Sequence, residues 1–600
     1  MKLRSLVPSM LFVAAALAVP RLAYSGEGEG FDVVETTIAD IQHAFCSEEL
    51  TPEQLVRIYL ARIAAYDQSG PQLNSYMHVN ERAIEVARAL RTEDCEEQHG
   101  VREDGGGGER RRPLFGVPVI LKDNIDTRDM PTTAGSVALN GSIPPRDAFI
   151  PAKLRRAGAI ILGKGTLTEY ANFISTNMPT GYSSQLRLQL FESGGDLARV
   201  GYGFNSYDPR TDPRADFDDG RPALATGGSS SGPGIAVGAN LATVGVGTET
   251  SGSILSPATQ NLLVGIKPTV GLVSRTGIVP ITADQDTAGP LARTVTDAAK
   301  LLGVLAGFDP EDPATAACLT RGNCFRDYTR FLRRDALRGA RIAVPHLGYW
   351  TDSAGNVVLS VEQQQIMNDA IATLRAEGAI VEDFHEIPTI QELFAFPGCG
   401  ALPIPPVCST VLLYGFKRDL NAYLARLGPS APVQTLADVI AFNESFVIKG
   451  VQVGLKYGQA LAISAQTLDT SPGSSDTQRY MSDRAMDLDI AKTRGLDVVY
   501  RDFDAVLFLA NRGANIAARA GYPSIVVPAG FVPNPAVPPP PLPPPTPFPE
   551  GFDPKDAPIG VTFSGPAFSE PRLIGYAYAF EQATHRRQPP ESTPPLSPAR

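Results

Sequence analysis

Histidine, tryptophan and cysteine are scarce in this chain. Of 600 residues, only six are histidine, one is tryptophan and six are cysteine. The histidines are scattered without the spacing of metal ligands, so the sequence predicts no metal site. Basic residues are also outnumbered, since 53 lysines and arginines face 64 aspartates and glutamates, for a net charge of −11. No basic patch interrupts this balance, which argues against nucleic acid as a partner.

Long apolar runs are absent as well, apart from one at the amino terminus. Two basic residues precede an apolar run over residues 6–19, and the small residues Ala23 and Ser25 follow it. The run is short for a bilayer, and the small residues fit a cleavage site. We therefore expect residues 1–25 to be a signal peptide, with no stable membrane insertion. The protein is expected to be exported to a periplasm, the extracellular space or a secretory lumen, with a retained anchor as the alternative.

The six cysteines are even in number, and an exported protein meets oxidising conditions that favour disulfides. Six cysteines allow fifteen connectivities, so any pairing is a hypothesis. Cysteines that are close in sequence are the natural partners, which suggests bridges of Cys318 with Cys324 and of Cys399 with Cys408 and leaves Cys46 with Cys95.

What the chain does have is two segments rich in glycine and serine. Residues 227–232 read Gly-Gly-Ser-Ser-Ser-Gly, and residues 247–254 read Gly-Thr-Glu-Thr-Ser-Gly-Ser-Ile. Glycine permits backbone conformations that other residues avoid, and closely spaced amides and hydroxyls suit acyl-transfer chemistry. A single segment of this composition is more typical of a flexible loop. Two of them, together with a suitable base, favour a serine hydrolase site.

The predicted base is a lysine, because no histidine lies near either segment in sequence. The apolar run Val117–Leu121 predicts a buried strand that ends in Lys122, Asp123 and Asn124. Burial lowers the pKa of a lysine well below its usual value of about 10.4, and the neutral amine is then a competent general base. Lys267 also follows an apolar run, and we interpret it as a strand-end lysine in water with a structural role.

With these motifs the chain resembles the amidase signature family over most of residues 36–584. The likeness extends through Gly265–Thr269 and Asp286–Pro290. It implies that Ser253 is the nucleophile, that Ser229 relays its proton from a position after a cis peptide bond, and that Lys122 is the base. No metal and no cofactor are implied. The backbone amides expected to form the oxyanion hole are those of Thr250, Ser251, Gly252 and Ser253.

The resemblance implies an enzyme that hydrolyses linear carboxamides through an acyl-enzyme. Residues 270–275 and 564–574 are similar to the peptide amidase branch, which removes the C-terminal amide nitrogen of peptides. The expected partner is therefore a small-molecule or peptide amide, and the oligomeric state is left open. An amidase for small aliphatic, aryl or fatty-acyl amides is the alternative. A non-catalytic binding or structural protein on the same fold is an alternative of another class, and export argues against a component of a tRNA-dependent amidotransferase.

Two positions depart from the pattern of many relatives. Glu249 stands where they have aspartate before the oxyanion turn, and Leu255 stands where they have arginine after the nucleophile. An ion pair between these two positions therefore cannot form. The segment 182–221 is longer than in the family and carries an acidic run at 208–213, and its role is left open.

The order of strand and helix patterns predicts the fold. Strands are expected at 117–121 and 159–162, with a helix at 148–157 between them. The second strand forms most of a near match to a phosphate-binding loop, but Gly165 stands where serine or threonine would bind magnesium. This alternation, like the resemblance, predicts an α/β protein of the amidase signature fold, with a large mixed twisted sheet covered by helices on both faces.

A single amidase domain is expected over residues 31–590, since no linker separates the motifs. Helical patterns predominate at about 297–499, and we interpret this stretch as an insertion that caps the sheet and shapes the substrate entrance. Residues 533–549 are rich enough in proline to lie extended, and we expect a surface loop between two strands.

Overall fold

The computed structural model describes residues 31–90, 112–320 and 322–596. The predicted signal peptide lies outside these residues. The strands in this part of the chain are, in order, β1 Tyr76–Val79, β2 Pro118–Lys122, β3 Ile160–Gly165, β4 Val244–Glu249, β5 Val264–Lys267, β6 Thr287–Ala292, β7 Arg341–Val344, β8 Ile380–Asp383, β9 Val447–Ile448, β10 Val451–Gln452, β11 Ala505–Leu509, β12 Ser524–Val532 and β13 Ala557–Ser564.

All but β9 and β10, which pair with each other, form one sheet in the order β1-β3-β2-β4-β6-β5-β12-β13-β11-β7-β8. β2 is parallel to both of its neighbours, and β7 is parallel to β8 and β11. The strands from β4 to β11 in this order are antiparallel to one another. The predicted mixed sheet is confirmed.

Helices cover the sheet, and none of those in the described residues is long and apolar enough to cross a bilayer. In this part of the chain the α-helices of six residues or more are Ile38–Cys46, Pro52–Arg62, Ala83–Arg88, Phe149–Arg156, Ser184–Glu192, Ser231–Gly238, Leu255–Gln260, Val295–Leu305, Val361–Ala376, Ile390–Ala395, Val411–Leu427, Leu436–Ser445, Ala460–Thr467, Ser475–Leu488, Ala514–Ala520 and Glu570–Thr584.

The two faces of the sheet have separate hydrophobic cores because alternate side chains of a strand point to opposite sides. Val119 and Leu121 of β2 belong to one core, which also contains residues of the helices Val295–Leu305 and Glu570–Thr584. Ile120 belongs to the other core, with residues of Pro52–Arg62 and Ser231–Gly238 among others. Helices therefore pack on both faces, as predicted.

The stretch 297–499 differs from the expected helical insertion. It contributes β7 and β8, which extend the main sheet at one edge, with the helix Val361–Ala376 between them. The side chains of β8 alternate between exposed and half-buried, and two of its four residues are acidic, so the pattern did not indicate a strand. Beyond it, the helices from Val411 to Thr467 have a core of their own that includes Tyr170.

The proline-rich segment between β12 and β13 lies against the segment that the sequence left without a role. The guanidinium of Arg210 stacks over Phe552 at 4.1 Å, and that of Arg214 stacks over Phe548 at 4.3 Å. Both arginines also donate to backbone carbonyls of residues 546–553 and pair with an aspartate two positions earlier. The two unassigned segments therefore form one surface unit.

Within the described residues, two disulfides join cysteines that are close in sequence. The bonded pairs are Cys318 with Cys324 and Cys399 with Cys408. The third pairing expected from the sequence involves Cys95, which lies outside the described residues.

Candidate active site

The predicted lysine base stands at the carboxyl end of a central strand. β2 and β4 run parallel in register, with Val119 opposite Val244, so their carboxyl ends meet at one edge of the sheet. Lys122 is the last residue of β2 and is completely buried. Its Nζ lies 2.7 Å from Oγ of Ser229 and 2.9 Å from Oγ1 of Thr248, near the end of β4. Two hydroxyls thus face the amine.

Ser229 contacts this amine from the first glycine- and serine-rich segment, and Ser253 lies on the second. The Gly228–Ser229 peptide bond is cis, and Ser229 is fully buried. Ser230 joins the segments, since its amide donates to the carbonyl of Ser253 at 3.3 Å and its Oγ donates to the carbonyl of Thr248 at 3.1 Å. The structure therefore brings Lys122, Ser229 and the turn that carries Ser253 to one place.

Burial dominates the electrostatics of the lysine. Loss of hydration lowers the pKa of Lys122 to about 7, while the carboxylates of Asp286 and Glu249 oppose this shift. Burial also raises the pKa of Asp286 to about 7, so its negative charge is itself weakened near neutral pH. A substantial fraction of Lys122 is consequently neutral near pH 7, as a general base requires.

Glu249 organises the turn that follows β4. Its Oε1 accepts the amide of Gly252 at 2.7 Å, and its Oε2 accepts the amides of Ile254 at 2.7 Å and Leu255 at 3.0 Å. Backbone amides thus take the place of the absent arginine. Gly252 has φ of +87°, a conformation that side chains disfavour.

This use of Glu249 alters the predicted oxyanion hole. The amide of Gly252 is already bonded to a carboxylate and is not available to a substrate oxygen in this structure. Of the predicted set, the amides of Thr250, Ser251 and Ser253 are left as donors.

Comparisons with known proteins identify the family. A family model described as amidase matches residues 54–195 and 205–397. The chain belongs to the amidase family.

Individual relatives of this amidase span nearly its whole length. A probable amidase of Arabidopsis thaliana is 36% identical over 94% of this chain and 92% of its own. The solved peptide amidase of Stenotrophomonas maltophilia is 34% identical, covers 93% of this chain and 98% of its own, and has a TM-score of 0.72. A glutamyl-tRNA(Gln) amidotransferase component of Microcystis aeruginosa is 29% identical over 92% of this chain and 99% of its own. The family and these likenesses identify an amidohydrolase that acts on carbon–nitrogen bonds.

Several residues around the lysine of this amidase were not singled out from the sequence. Thr248 contacts the amine, Ser230 joins the two segments, and Asn124 donates to Oγ1 of Thr248 at 3.0 Å. All three lie within motifs read from the sequence, but their contacts cross from one strand end to another. Only the parallel pairing of β2 with β4 would have pointed to Thr248.

A cavity of 290 Å³ opens beside the lysine on the side of Thr248. Its polar lining includes Asn124, Thr248, Thr250 and Asp286. Oγ1 of Thr250 donates to Asp286 at 2.5 Å, and Tyr423 from the separate helical core also lines the wall. The helical part of 297–499 therefore does border a cavity next to the site.

The interpretation of Lys267 as a lysine in water is wrong. Its side chain is fully buried, and its Nζ donates to the backbone carbonyls of Ala517 and Tyr522. These carbonyls come from a segment some 250 positions further along the chain, which the local pattern could not reveal. The near match to a phosphate-binding loop lies on β3, as expected, and its Lys164 forms a buried ion pair with Asp123 at 3.2 Å.

Proposed function

We propose that this amidase hydrolyses linear carboxamides, in particular the C-terminal amides of peptides, with Ser253 as nucleophile, Ser229 as proton relay and Lys122 as base. The observation that carries the proposal is the distance of 2.7 Å between Lys122 Nζ and Ser229 Oγ in a fully buried position beside the turn of Ser253. The likeness to the Stenotrophomonas peptide amidase supports the substrate class.

In the first step, neutral Lys122 accepts a proton from Ser229, which takes one from Ser253. The Ser253 Oγ bonds to the amide carbon, and the carbonyl oxygen becomes an anion held by the backbone amides of Thr250, Ser251 and Ser253. As the carbon–nitrogen bond breaks, Ser229 gives a proton to the departing nitrogen and regains one from the lysine. Ammonia leaves, and an ester to Ser253 remains.

In the second step, water attacks this ester while the same relay takes its proton. The bond to Ser253 breaks, and the serine recovers its hydrogen. The sum is amide plus water giving carboxylic acid plus ammonia, with Lys122 neutral again at the end.

The test is replacement of the nucleophile. Ser253→Ala is expected to abolish ammonia release from a peptide amide while the circular dichroism spectrum and unfolding midpoint stay those of the parent. Retention of near-full activity would refute the assignment. A serine-directed fluorophosphonate should label the parent and leave Ser253→Ala unlabelled, and an unlabelled parent would instead favour a non-catalytic protein.

The substrate class is tested with a panel that includes a peptide amide, a small aryl amide and a long-chain amide. Turnover of the peptide amide is expected. Ammonia release from the long-chain amide alone would overturn the peptide assignment.

Export is part of the proposal, supported by the amino-terminal pattern and by the two bonded cysteine pairs. Amino-terminal sequencing of the protein from its native source should find a chain that begins near residue 26. A mature protein that keeps residues 1–25 in the cytosol would contradict it.

A further inference from the structure

A second cavity, of 170 Å³, is lined at the turn after β4 by Ser251, whereas Thr250 lines the cavity beside Thr248. Its polar lining includes Ser251, Gln285, Asn515 and Arg519, and its apolar lining includes Phe394 and Leu412. Ligand pockets for drug-sized molecules start at roughly 300 Å³. This smaller cavity therefore suits one amino-acid residue of a longer substrate, entering next to the turn.

Gln285 is the unusual group in this cavity. The residue is only 3% exposed, yet its carboxamide makes no hydrogen bond with any other described residue. The side chain lines the cavity, and its carboxamide can take one acceptor at the NH₂ end and one donor at the oxygen. A ligand that offers both a carbonyl and an N–H would satisfy it.

The backbone on either side of Gln285 is held in place. The carboxylate of Asp286 accepts the amides of Ile281 at 2.8 Å and Thr282 at 3.0 Å. The carbonyl of Asp284 accepts from Arg484 at 3.2 Å. The carboxamide is thus presented on a fixed segment, which lowers the entropy lost when a ligand binds.

The charges in the cavity are already compensated. Arg519 donates to Asp487 at 2.8 Å, and the other oxygen of that carboxylate accepts from Ser409 at 2.7 Å. Nε of Arg519 donates to Oδ1 of Asn515 at 3.1 Å, which leaves the NH₂ end of that side chain to donate elsewhere. The lining therefore favours a neutral hydrogen-bonding ligand over a carboxylate or a cation.

We propose that this cavity binds the residue that precedes the C-terminal residue of the substrate, with Gln285 donating to that residue's carbonyl and accepting from its N–H. The apolar wall then contacts the neighbouring side chain. This inference rests on the proposed function and names the feature by which a peptide amide is preferred to a simple amide. Gln285 is a specificity residue here and does not take part in the proton relay.

The experiment measures binding in the Ser253→Ala background, so that hydrolysis does not enter. The probe is N-acetyl-alanyl-leucinamide, titrated by calorimetry into protein with and without Gln285→Met. Loss of two hydrogen bonds is expected to weaken binding roughly 10- to 100-fold. Gln42→Met, the same change at a buried glutamine away from both cavities, should leave the affinity unchanged. Equal affinity with and without Gln285→Met would overturn the proposal.

A change in the ligand provides a test that does not depend on the folding of the variant. An analogue with an ester oxygen in place of the N–H of alanine should bind the Ser253→Ala protein roughly 3- to 10-fold more weakly. Addition of Gln285→Met should remove this difference, and an ester that binds as well as the amide would contradict the inference. Failure of the proposed function is recognised separately, since the parent enzyme would then bind the amide without releasing ammonia.

Discussion

Two strands of the same sheet end in a buried lysine, and the two lysines differ in the groups that they contact. Lys122 ends β2 and Lys267 ends β5, and both are fully buried. Burial lowers their pKa values to about 7 and about 8. Lys122 faces the hydroxyls of Ser229 and Thr248 as well as the carbonyl of Thr248, whereas Lys267 faces two backbone carbonyls. Hydroxyls exchange protons and carbonyls do not, so the two hydroxyl partners are what suit Lys122 to the proposed role of base.

Replacement of each lysine by methionine should have the largest effect and should separate the two roles. Lys122→Met should lower kcat/KM by about 10²- to 10⁴-fold, because the proton relay loses its base. Lys267→Met should leave kcat/KM unchanged but reduce the free energy of unfolding by about 1–3 kcal/mol, because two buried carbonyls lose their donor. Ammonia release and urea unfolding measure the two quantities. Inactivity of Lys267→Met with an unchanged unfolding curve would show that the division of roles is wrong.

The pH dependence of activity and of stability also distinguishes the two lysines. Only neutral Lys122 accepts a proton, so kcat/KM should rise with pH through about 7 and fall about tenfold for each pH unit below that value. The unfolded chain holds these protons up to about 10.4, and the folded chain releases them near 7 and 8. Both lysines therefore make stability increase with pH across that window.

The variant Lys267→Met provides the control for this assignment. Its kcat/KM profile should keep the same acid limb, while the rise of its stability with pH should be shallower than in the parent. If the acid limb of kcat/KM is displaced in this variant, the titration does not belong to Lys122 alone, and its assignment is wrong.

The smallest expected effect concerns the charge next to the base. The Asp286 carboxylate raises the pKa of Lys122, so Asp286→Asn should move the acid limb of kcat/KM to lower pH. Glu311→Gln is the matched control, since Glu311 lines the same cavity at its exposed end. A limb that moves to higher pH, or moves equally in both variants, would be inconsistent with this role of Asp286.

The sequence predicted what depends on local pattern, and it missed what depends on distant contacts. The apolar run before Lys122 sufficed for β2, and the motifs sufficed to propose the three catalytic positions through resemblance. Thr248 and Gln285 gain their significance from contacts across the sheet and around a cavity, which no run of residues encodes. β8 was missed because an edge strand with acidic residues lacks the apolar pattern of a buried one.

The stacking of Arg210 and Arg214 on Phe552 and Phe548 has a consequence for protein engineering. The two partners lie more than 330 positions apart, so a chimera with a homologue would inherit one without the other at most crossover points. Such a hybrid would leave aromatic rings uncovered on one side or guanidinium groups without a face to stack on. Both segments should therefore be exchanged together.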